Sequence, residues 1–468
     1  MQSLKKLMFV VCLFISLTAA ADNKIKYYFN HPVDNSVSTG VNALNINGYI
    51  DDTLIAYINR SKYTLDIAVY DFTSYSGAAL DNVISAINSA YTRGVKVRWI
   101  YNGSSSNTGL STVNSGINRL GSPTTSSYGI MHCKFMVVDA NSSDPSDAVV
   151  WTGSTNWSVA QFETDYDNVV IFQDSALAHA YRAEFNQMWG DTGIAPNTAT
   201  SKFGPNKVDL GRHNFTIDGK QVELYFSPSD GTNTHIQSSI ATANKDLYFG
   251  VYTFTDVNDA NAIVTAKSNG VYTAGIMDQY SATYTPYSIM TSNLGSNFKE
   301  YTGTGLYHNK YLIVDPSDVC SDPLVLTGSH NWTTSANTKN DENTVIIHDA
   351  TAANVYYQSF RGDFQALGGT LSTITGCTTA VPEVISVTDF SLFPNPSQGV
   401  INVGLKLTMP QMVSISLINI QGQEYKLMSN EWQSDMTFNR SFNIPAKGLY
   451  ILKIITAEGN YNKQVVNE

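Results

Sequence analysis

Short apolar runs alternate with amphipathic stretches along residues 25–366, and the same order of patterns occurs twice. The runs at 65–70 and 247–252 match each other, and each half closes with an amphipathic segment, at 175–189 and 350–367. Strands that alternate with helices predict an α/β fold built on a largely parallel or mixed sheet. The repetition predicts two pseudo-symmetric lobes.

The pattern changes near the C-terminus. Residues 377–389 are rich in Thr, Val and Pro and indicate a linker, whereas 413–420 and 448–454 alternate apolar and polar positions between turn residues. Short alternating strands of this kind predict a small all-β sandwich. The expected organisation is therefore a first lobe at 22–195, a second at 196–378 and a sandwich at 388–468.

The first 21 residues have a different character. Lys5 and Lys6 precede an apolar run at 7–17, and small residues precede Asp22. This pattern predicts a secretory signal peptide, since the run is too short to span a membrane. Export would permit oxidation, so Cys320 and Cys377 either form a disulfide or remain free thiols.

One polar motif occurs in both lobes. It consists of His-x-Lys with an Asp five residues past the Lys, followed by Gly-Ser-x-Asn. The first copy comprises His132, Lys134, Asp139, Ser154 and Asn156, and the second comprises His308, Lys310, Asp315, Ser329 and Asn331. Two copies with matching trailing elements indicate a site that the two lobes share.

The chemistry of this inventory suits cleavage of a phosphodiester. Alternate side chains of a strand share a face, so His132 and Lys134 should point the same way. Such a reaction needs a nucleophile, a proton for the leaving oxygen and positive charge around the phosphoryl oxygens. Two lobes supply two imidazoles, two ammonium groups and two amides. No cluster with metal-ligand spacing is visible in the sequence, so neither a metal nor another cofactor is expected.

The duplicated motif resembles that of the phospholipase D superfamily. The resemblance covers residues 25–366 and implies that His132 attacks phosphorus to give a phosphohistidine, while His308 protonates the leaving alcohol. It implies further that the remaining polar motif residues hold the phosphate, namely Lys134, Lys310, Asn156, Asn331, Ser154 and Ser329. Asp139 and Asp315 are expected to brace the strand ends instead.

A catalytic imidazole needs an acceptor that fixes one ring nitrogen. Glu342 and Asp167 stand at the same distance from the Gly of their motif, and family members carry an acid in this region. We assign both residues the role of orienting a histidine, with Asp165 as the alternative in the first lobe. His330, inside the second Gly-Ser-x-Asn, could contact substrate or be structural.

The C-terminal module resembles the sorting domain of type IX secretion cargo. The matching features are Phe-Pro-Asn-Pro at 393–396, Gly448-x-Tyr450 and Lys463-x-Val465. The resemblance implies the type IX machinery as a partner, passage through the outer membrane, and a secreted or cell-surface location. An ordinary adhesive sandwich is the alternative.

Composition bears on the substrate. The net charge is −11 and charged residues make up only 14% of the chain. This composition lacks the excess of basic residues that is typical of nucleic-acid-binding proteins. We therefore expect a monomeric phospholipase D that acts on phospholipid head groups. The alternatives are a metal-independent endonuclease of the same superfamily and a catalytically silent binding protein.

Overall fold

The computed structural model describes residues 24–73, 78–374, 387–407, 410–419, 423–456 and 459–468. The predicted signal peptide and Cys377 lie outside these ranges; Cys320 is disulfide-bonded. The chain divides into two compact units, Met1–Gly376 and Cys377–Glu468. No helix in the described part of the chain is both long and apolar enough to cross a membrane.

The first lobe is built on a mixed sheet with strand order β1-β7-β6-β5-β2-β3-β4. Strands β2, β3 and β4 run parallel to one another, and the other neighbours pair antiparallel. Its elements are β1 (Ile25–Phe29), α1 (Ile50–Asn59), β2 (Thr64–Val69), α2 (Ala78–Thr92), β3 (Lys96–Tyr101), β4 (Asn118–Gly121), β5 (Lys134–Val138), β6 (Val149–Gly153), α3 (Val159–Glu163), β7 (Asn168–Phe172) and α4 (Ser175–Trp189).

The second lobe repeats this sheet and adds one edge strand, in the order β12-β11-β10-β13-β14-β15-β9-β8. Its elements are β8 (Asn214–Ile217), β9 (Lys220–Ser227), α5 (Thr232–Ala241), β10 (Asp246–Val251), α6 (Val257–Ser268), β11 (Tyr272–Asp278), α7 (Thr285–Leu294), β12 (Phe298–Tyr301), β13 (Lys310–Val314), β14 (Leu324–Gly328), α8 (Thr334–Thr338), β15 (Glu342–His348) and α9 (Ala350–Ala366). The predicted α/β class with two lobes is confirmed.

One apolar cluster belongs to both lobes. Tyr181 of α4 packs its ring edge against Phe226 of β9, with the ring centroids 5.3 Å apart, and Tyr356 of α9 packs in the same way against Phe29 of β1 at 5.1 Å. Each lobe thus buries aromatic surface against the other, which favours their association through the hydrophobic effect. The two sheets therefore form one compact unit.

The motif aspartates brace the turns that enter the strands beside them. Asp139 has a φ of +47° and accepts backbone N–H groups from Lys62, Tyr63 and Thr64 at 2.7–2.8 Å, where the chain enters β2. Asp315 has a φ of +49° and does the same for the turn before β10. Both carboxylates are buried at the strand ends opposite the motif histidines.

The C-terminal unit is all-β. Two antiparallel sheets, β16-β17-β20 and β19-β18-β21-β22, share one apolar cluster, as the sequence predicted. Its strands are β16 (Val387–Phe393), β17 (Val400–Leu407), β18 (Gln411–Asn419), β19 (Glu424–Gln433), β20 (Thr437–Asn443), β21 (Gly448–Thr456) and β22 (Gly459–Asn467).

Asp139→Ala should lower the free energy of unfolding by about 2–3 kcal/mol, because it leaves backbone N–H groups without their charged acceptor and puts Ala at a positive φ. Asp139→Asn keeps an acceptor and tolerates this backbone conformation, so its loss should be smaller. Urea denaturation followed by circular dichroism measures both. Equal stability of the Ala variant and the wild type would show that the carboxylate does not brace the turn.

Candidate active site

The motif histidines lie two residues before β5 and β13. The backbone of each of these segments is hydrogen-bonded to the other lobe. The backbone N–H of His132 donates to the carbonyl of Asp341 at 2.9 Å, and the N–H of Asp341 donates to Ile130 at 3.0 Å. On the other side, the N–H of Tyr166 donates to the carbonyl of Leu306 at 2.8 Å. These contacts set the two motifs face to face.

Each imidazole is hydrogen-bonded to a carboxylate from the opposite lobe. The Nδ1 atom of His132 lies 2.8 Å from Oε2 of Glu342, and Nδ1 of His308 lies 2.9 Å from Oδ1 of Asp167. Because a carboxylate only accepts, each Nδ1 is assigned the proton and each Nε2 presents a lone pair. Asp165, the alternative partner, bonds instead to the N–H of Leu306.

The motif serines contact these carboxylates. The Ser154 hydroxyl donates to Oδ1 of Asp167 and the Ser329 hydroxyl donates to Oε2 of Glu342, both at 2.6 Å. Both serines are fully buried. This arrangement favours a role in fixing the carboxylates over the expected contact with substrate.

The motif lysines are buried beside the histidines. Each ammonium donates to the carbonyl of the histidine two residues earlier, Lys134 to His132 and Lys310 to His308. The ammonium of Lys134 also lies 5.1 Å from the ring centroid of Tyr70. Since an ammonium has three N–H donors, each lysine keeps further donors for an anion.

The imidazole rings and the motif asparagines border a single cleft of about 480 Å³. Oδ1 of Asn331 accepts the N–H of Thr253 at 3.2 Å, and the N–H of Asn156 donates to Gln161 at 3.0 Å. The lining residues are Tyr70, Asp71, Ile130, His132, Asn156, Ser158, Ala160, Gln161, Asp165, Tyr252, Thr253, Tyr280, Leu306, His308 and Asn331.

Burial controls the charges of the site. It lowers the pKa of His132 to about 4 and holds the pKa of His308 well below its ordinary value. Burial also lowers the pKa of Lys134 to about 8, and that of Lys310 falls for the same reason. Both imidazoles are therefore neutral at pH 7, and a bound anion would favour protonation of these four groups.

The two carboxylates differ in how well they are solvated by the protein. Burial raises the pKa of Asp167 to about 6, and its Oδ2 has no hydrogen-bond partner among the described residues. Burial acts on Glu342 in the same direction, yet His132 and further partners hold the pKa of Glu342 at about 2. Its Oε1 also accepts from Asn340 at 3.2 Å. The anion is thus better stabilised at Glu342.

Two tyrosines of the cleft carried no role in the sequence interpretation. The ring centroids of Tyr70 and His132 are 4.9 Å apart, and those of Tyr252 and His308 are 5.2 Å apart. The available signal was that each tyrosine directly follows one of the repeated strands, β2 or β10. His330 is buried and its ring nitrogens have no partner among the described residues; it does not line the cleft.

Three potential metal ligands, Asp209, His213 and Asp230, place their donor atoms within 4.8 Å of one another. None of the three lines the cleft. The group is therefore separate from the motif residues.

At pH 7, Glu342→Gln should lower the free energy of unfolding by about 2–3 kcal/mol more than Asp167→Asn does. A pKa below its unfolded value means that Glu342 stabilises the fold above pH 4.5, and that this contribution disappears as the pH falls toward 2. A raised pKa means that ionised Asp167 costs stability, increasingly so as the pH rises from 3.8 to 6. Urea denaturation of both variants measures the difference. Equal losses would contradict it.

Two family models match the chain. The model described as cardiolipin synthase, PLD-like domain matches residues 54–189 and 236–364. The model described as secretion system C-terminal sorting domain matches residues 391–468. Together they cover both lobes and the all-β unit.

Named relatives agree with the first match. A phospholipase D of Rickettsia bellii is 28% identical over 157 residues, which are 31% of this chain and 69% of that protein. A mitochondrial cardiolipin hydrolase of Xenopus tropicalis is 32% identical over 141 residues, 29% of this chain and 59% of that protein. A phosphatidylserine synthase structure from Haemophilus influenzae, 15% identical with a TM-score of 0.50, covers 73% of this chain and 86% of that chain, and shares the fold.

The PLD-like model matches more than half of the chain. A sorting domain of this kind directs secretion through the type IX system to the cell surface or beyond. The protein therefore belongs to the phospholipase D superfamily, as a phosphoric diester hydrolase that carries a C-terminal secretion sorting domain.

Proposed function

We propose that the protein is a secreted phospholipase D, which hydrolyses phospholipid head groups to phosphatidic acid through a phosphohistidine intermediate. The supporting observation is the pair of crossed contacts, His132 with Glu342 and His308 with Asp167. They aim two imidazoles into one cleft, with a buried ammonium beside each. The named phospholipase D relatives favour the same reaction.

In the first step, Nε2 of His132 attacks phosphorus. Its lone pair is available because the ring is neutral at pH 7 and Nδ1 donates to Glu342. A nitrogen–phosphorus bond forms while the bond from phosphorus to the head-group oxygen breaks. His308, protonated in the presence of the bound anion, gives its proton to the leaving alcohol.

In the second step, His308 takes a proton from water as the water oxygen attacks phosphorus. The nitrogen–phosphorus bond breaks, which restores His132 and releases phosphatidic acid. In both steps His308 passes through a doubly protonated imidazolium, and Asp167 stabilises this cation through its hydrogen bond to Nδ1. A single pair of histidines thus serves both steps with the roles of acid and base exchanged.

Positive charge around the phosphoryl oxygens is assigned to Lys134 and Lys310, with Asn156 and Asn331 as neutral donors. Preorganised donors in a buried site stabilise developing charge strongly. These groups supply what a bound cation supplies in metal-dependent phosphodiesterases. We expect the reaction to need no metal and no other cofactor.

The cleft lining favours a lipid over a polynucleotide. Among the described residues that border it, the acidic residues are Asp71 and Asp165, and neither Lys nor Arg is present. Nucleic-acid binding depends on several Lys or Arg contacts to successive phosphates. A lipid diester presents one phosphate, which the buried motif residues can satisfy.

His132→Ala and His308→Ala should each lower turnover of a soluble phosphodiester by about 10³-fold or more, because one removes the nucleophile and the other the proton donor. His179→Ala changes an exposed histidine outside the cleft and should retain wild-type activity. Hydrolysis of bis(p-nitrophenyl) phosphate measures all three variants. Substantial activity in either motif variant would contradict the shared site.

The full-length protein should release free head group and leave phosphatidic acid when it meets phosphatidylcholine or phosphatidylethanolamine vesicles. Single-stranded DNA should remain intact, because neither Lys nor Arg is among the described residues that line the cleft. Thin-layer chromatography and gel electrophoresis report the two reactions. Untouched vesicles together with DNA degradation that weakens as salt rises would establish the nuclease instead.

A further inference from the structure

Three departures of the cleft lining from the two-fold repeat involve a carboxylate or an aromatic ring. At two of them the first lobe has a carboxylate where the second has a neutral residue, and at the third the second lobe has a phenol ring where the first has a small hydroxyl. The three pairs are Asp71 and Thr253, Asp165 and Asn340, and Tyr280 and Ser104. Asp71, Asp165 and Tyr280 all line the cleft.

A phosphodiester has two similar non-bridging oxygens, which a two-fold set of His, Lys and Asn can serve. The two alcohols that it joins are different in a lipid, and a symmetric site cannot tell them apart. The residues that break the repeat are therefore the ones suited to recognise an end of the substrate. Two of them add negative charge and one adds an aromatic face.

Asp165 and Tyr280 lie on the His308 side of the cleft. The N–H of Leu306, two residues before His308, donates to Oδ1 of Asp165 at 2.9 Å. The ring of Tyr280 stacks on Tyr252 with centroids 5.4 Å apart and an interplanar angle of 24°. Tyr252 in turn contacts His308. A group bound between Asp165 and Tyr280 would therefore lie beside His308.

Both residues are positioned to meet a ligand. Tyr280 is 54% exposed although it borders the cleft, so part of its ring is open to solvent. Asp165 is 5% exposed, and its carboxylate is held by the N–H of Leu306 and the side chain of Gln161. Tyrosine faces attract alkylammonium groups, and a fixed carboxylate that borders the same cleft adds attraction for a cation.

From these contacts we infer that Asp165 and Tyr280, with Tyr252 behind them, form a subsite for a cationic head group, an amino alcohol such as choline or ethanolamine. The inference rests on the proposed function, because His308 must be the group that protonates the leaving alcohol. Asp71, the other carboxylate of the lining, adds to the negative potential of the cleft. An anionic or neutral head group would gain nothing from these residues.

The test compares two soluble short-chain lipids that differ only in the head group, dihexanoyl phosphatidylcholine and dihexanoyl phosphatidylglycerol. The wild type should favour the choline lipid in kcat/KM by about 10-fold or more, and Asp165→Asn and Tyr280→Ala should each reduce this ratio by about 5-fold. Turnover of the glycerol lipid should change much less. Tyr63→Ala alters a tyrosine that is 55% exposed and outside the cleft, and should keep the wild-type ratio. Equal use of both lipids by the wild type, or equal losses on both lipids in the variants, would overturn the subsite.

If neither lipid is hydrolysed while bis(p-nitrophenyl) phosphate is, the proposed function fails and the subsite is tested by inhibition. Glycerophosphocholine should then inhibit the wild type about 10-fold better than glycerophosphoglycerol, and Asp165→Asn should remove the difference. Equal inhibition by the two diesters would overturn the subsite independently of the lipid reaction.

Discussion

Neither lobe supplies the acceptor for its own motif histidine, and the rest of the site depends on this crossing. His132 bonds to Glu342 and His308 to Asp167, so the imidazoles are oriented only when the two sheets are in register. A second crossed pair of contacts maintains that register, from Asn343 to Thr152 at 2.7 Å and from Thr327 to Asn168 at 2.8 Å. The shared aromatic core beneath them makes the two lobes one unit. The proposed catalytic site therefore forms only when the two lobes pack together.

The two lobes have similar sheet topology but differ in the electrostatics of their motif residues. Both histidines have the same kind of partner, yet Glu342 is stabilised as an anion while burial raises the pKa of Asp167 to about 6. The cleft lining is unequal as well, since its carboxylates come from the first lobe. Such differences suit a reaction in which one histidine forms a bond to phosphorus and the other moves a proton. The same differences allow the site to distinguish the two ends of an unsymmetrical substrate.

The sequence predicted the features that depend on pattern. Strand and helix periodicity, with the repeated order, gave the mixed α/β lobes and the antiparallel C-terminal sheets. Spacing identified the motif residues and the two acids, but it left Asp165 and Asp167 as alternatives. Side chains two residues apart in an extended segment point the same way, so spacing alone does not distinguish them. It could not show that the partners cross between lobes, since that depends on how two sheets pack. The serines illustrate the same limit: their bonds to Asp167 and Glu342 follow from the turn geometry. Tyr280 was not predicted because its counterpart in the first lobe is Ser104, so the repeat did not mark the position as part of the site.

Identification of the phosphorylated residue tests the account most directly. A phosphodiester labelled with ³²P is mixed with the full-length enzyme, the reaction is stopped in alkaline detergent, and the labelled peptide is mapped. The account predicts one acid-labile label, on His132, that is absent from His132→Ala. Label on His308 with His132 intact would reverse the proposed roles. Turnover with no trapped label, or label outside the two motifs, would contradict a phosphohistidine formed at the shared site.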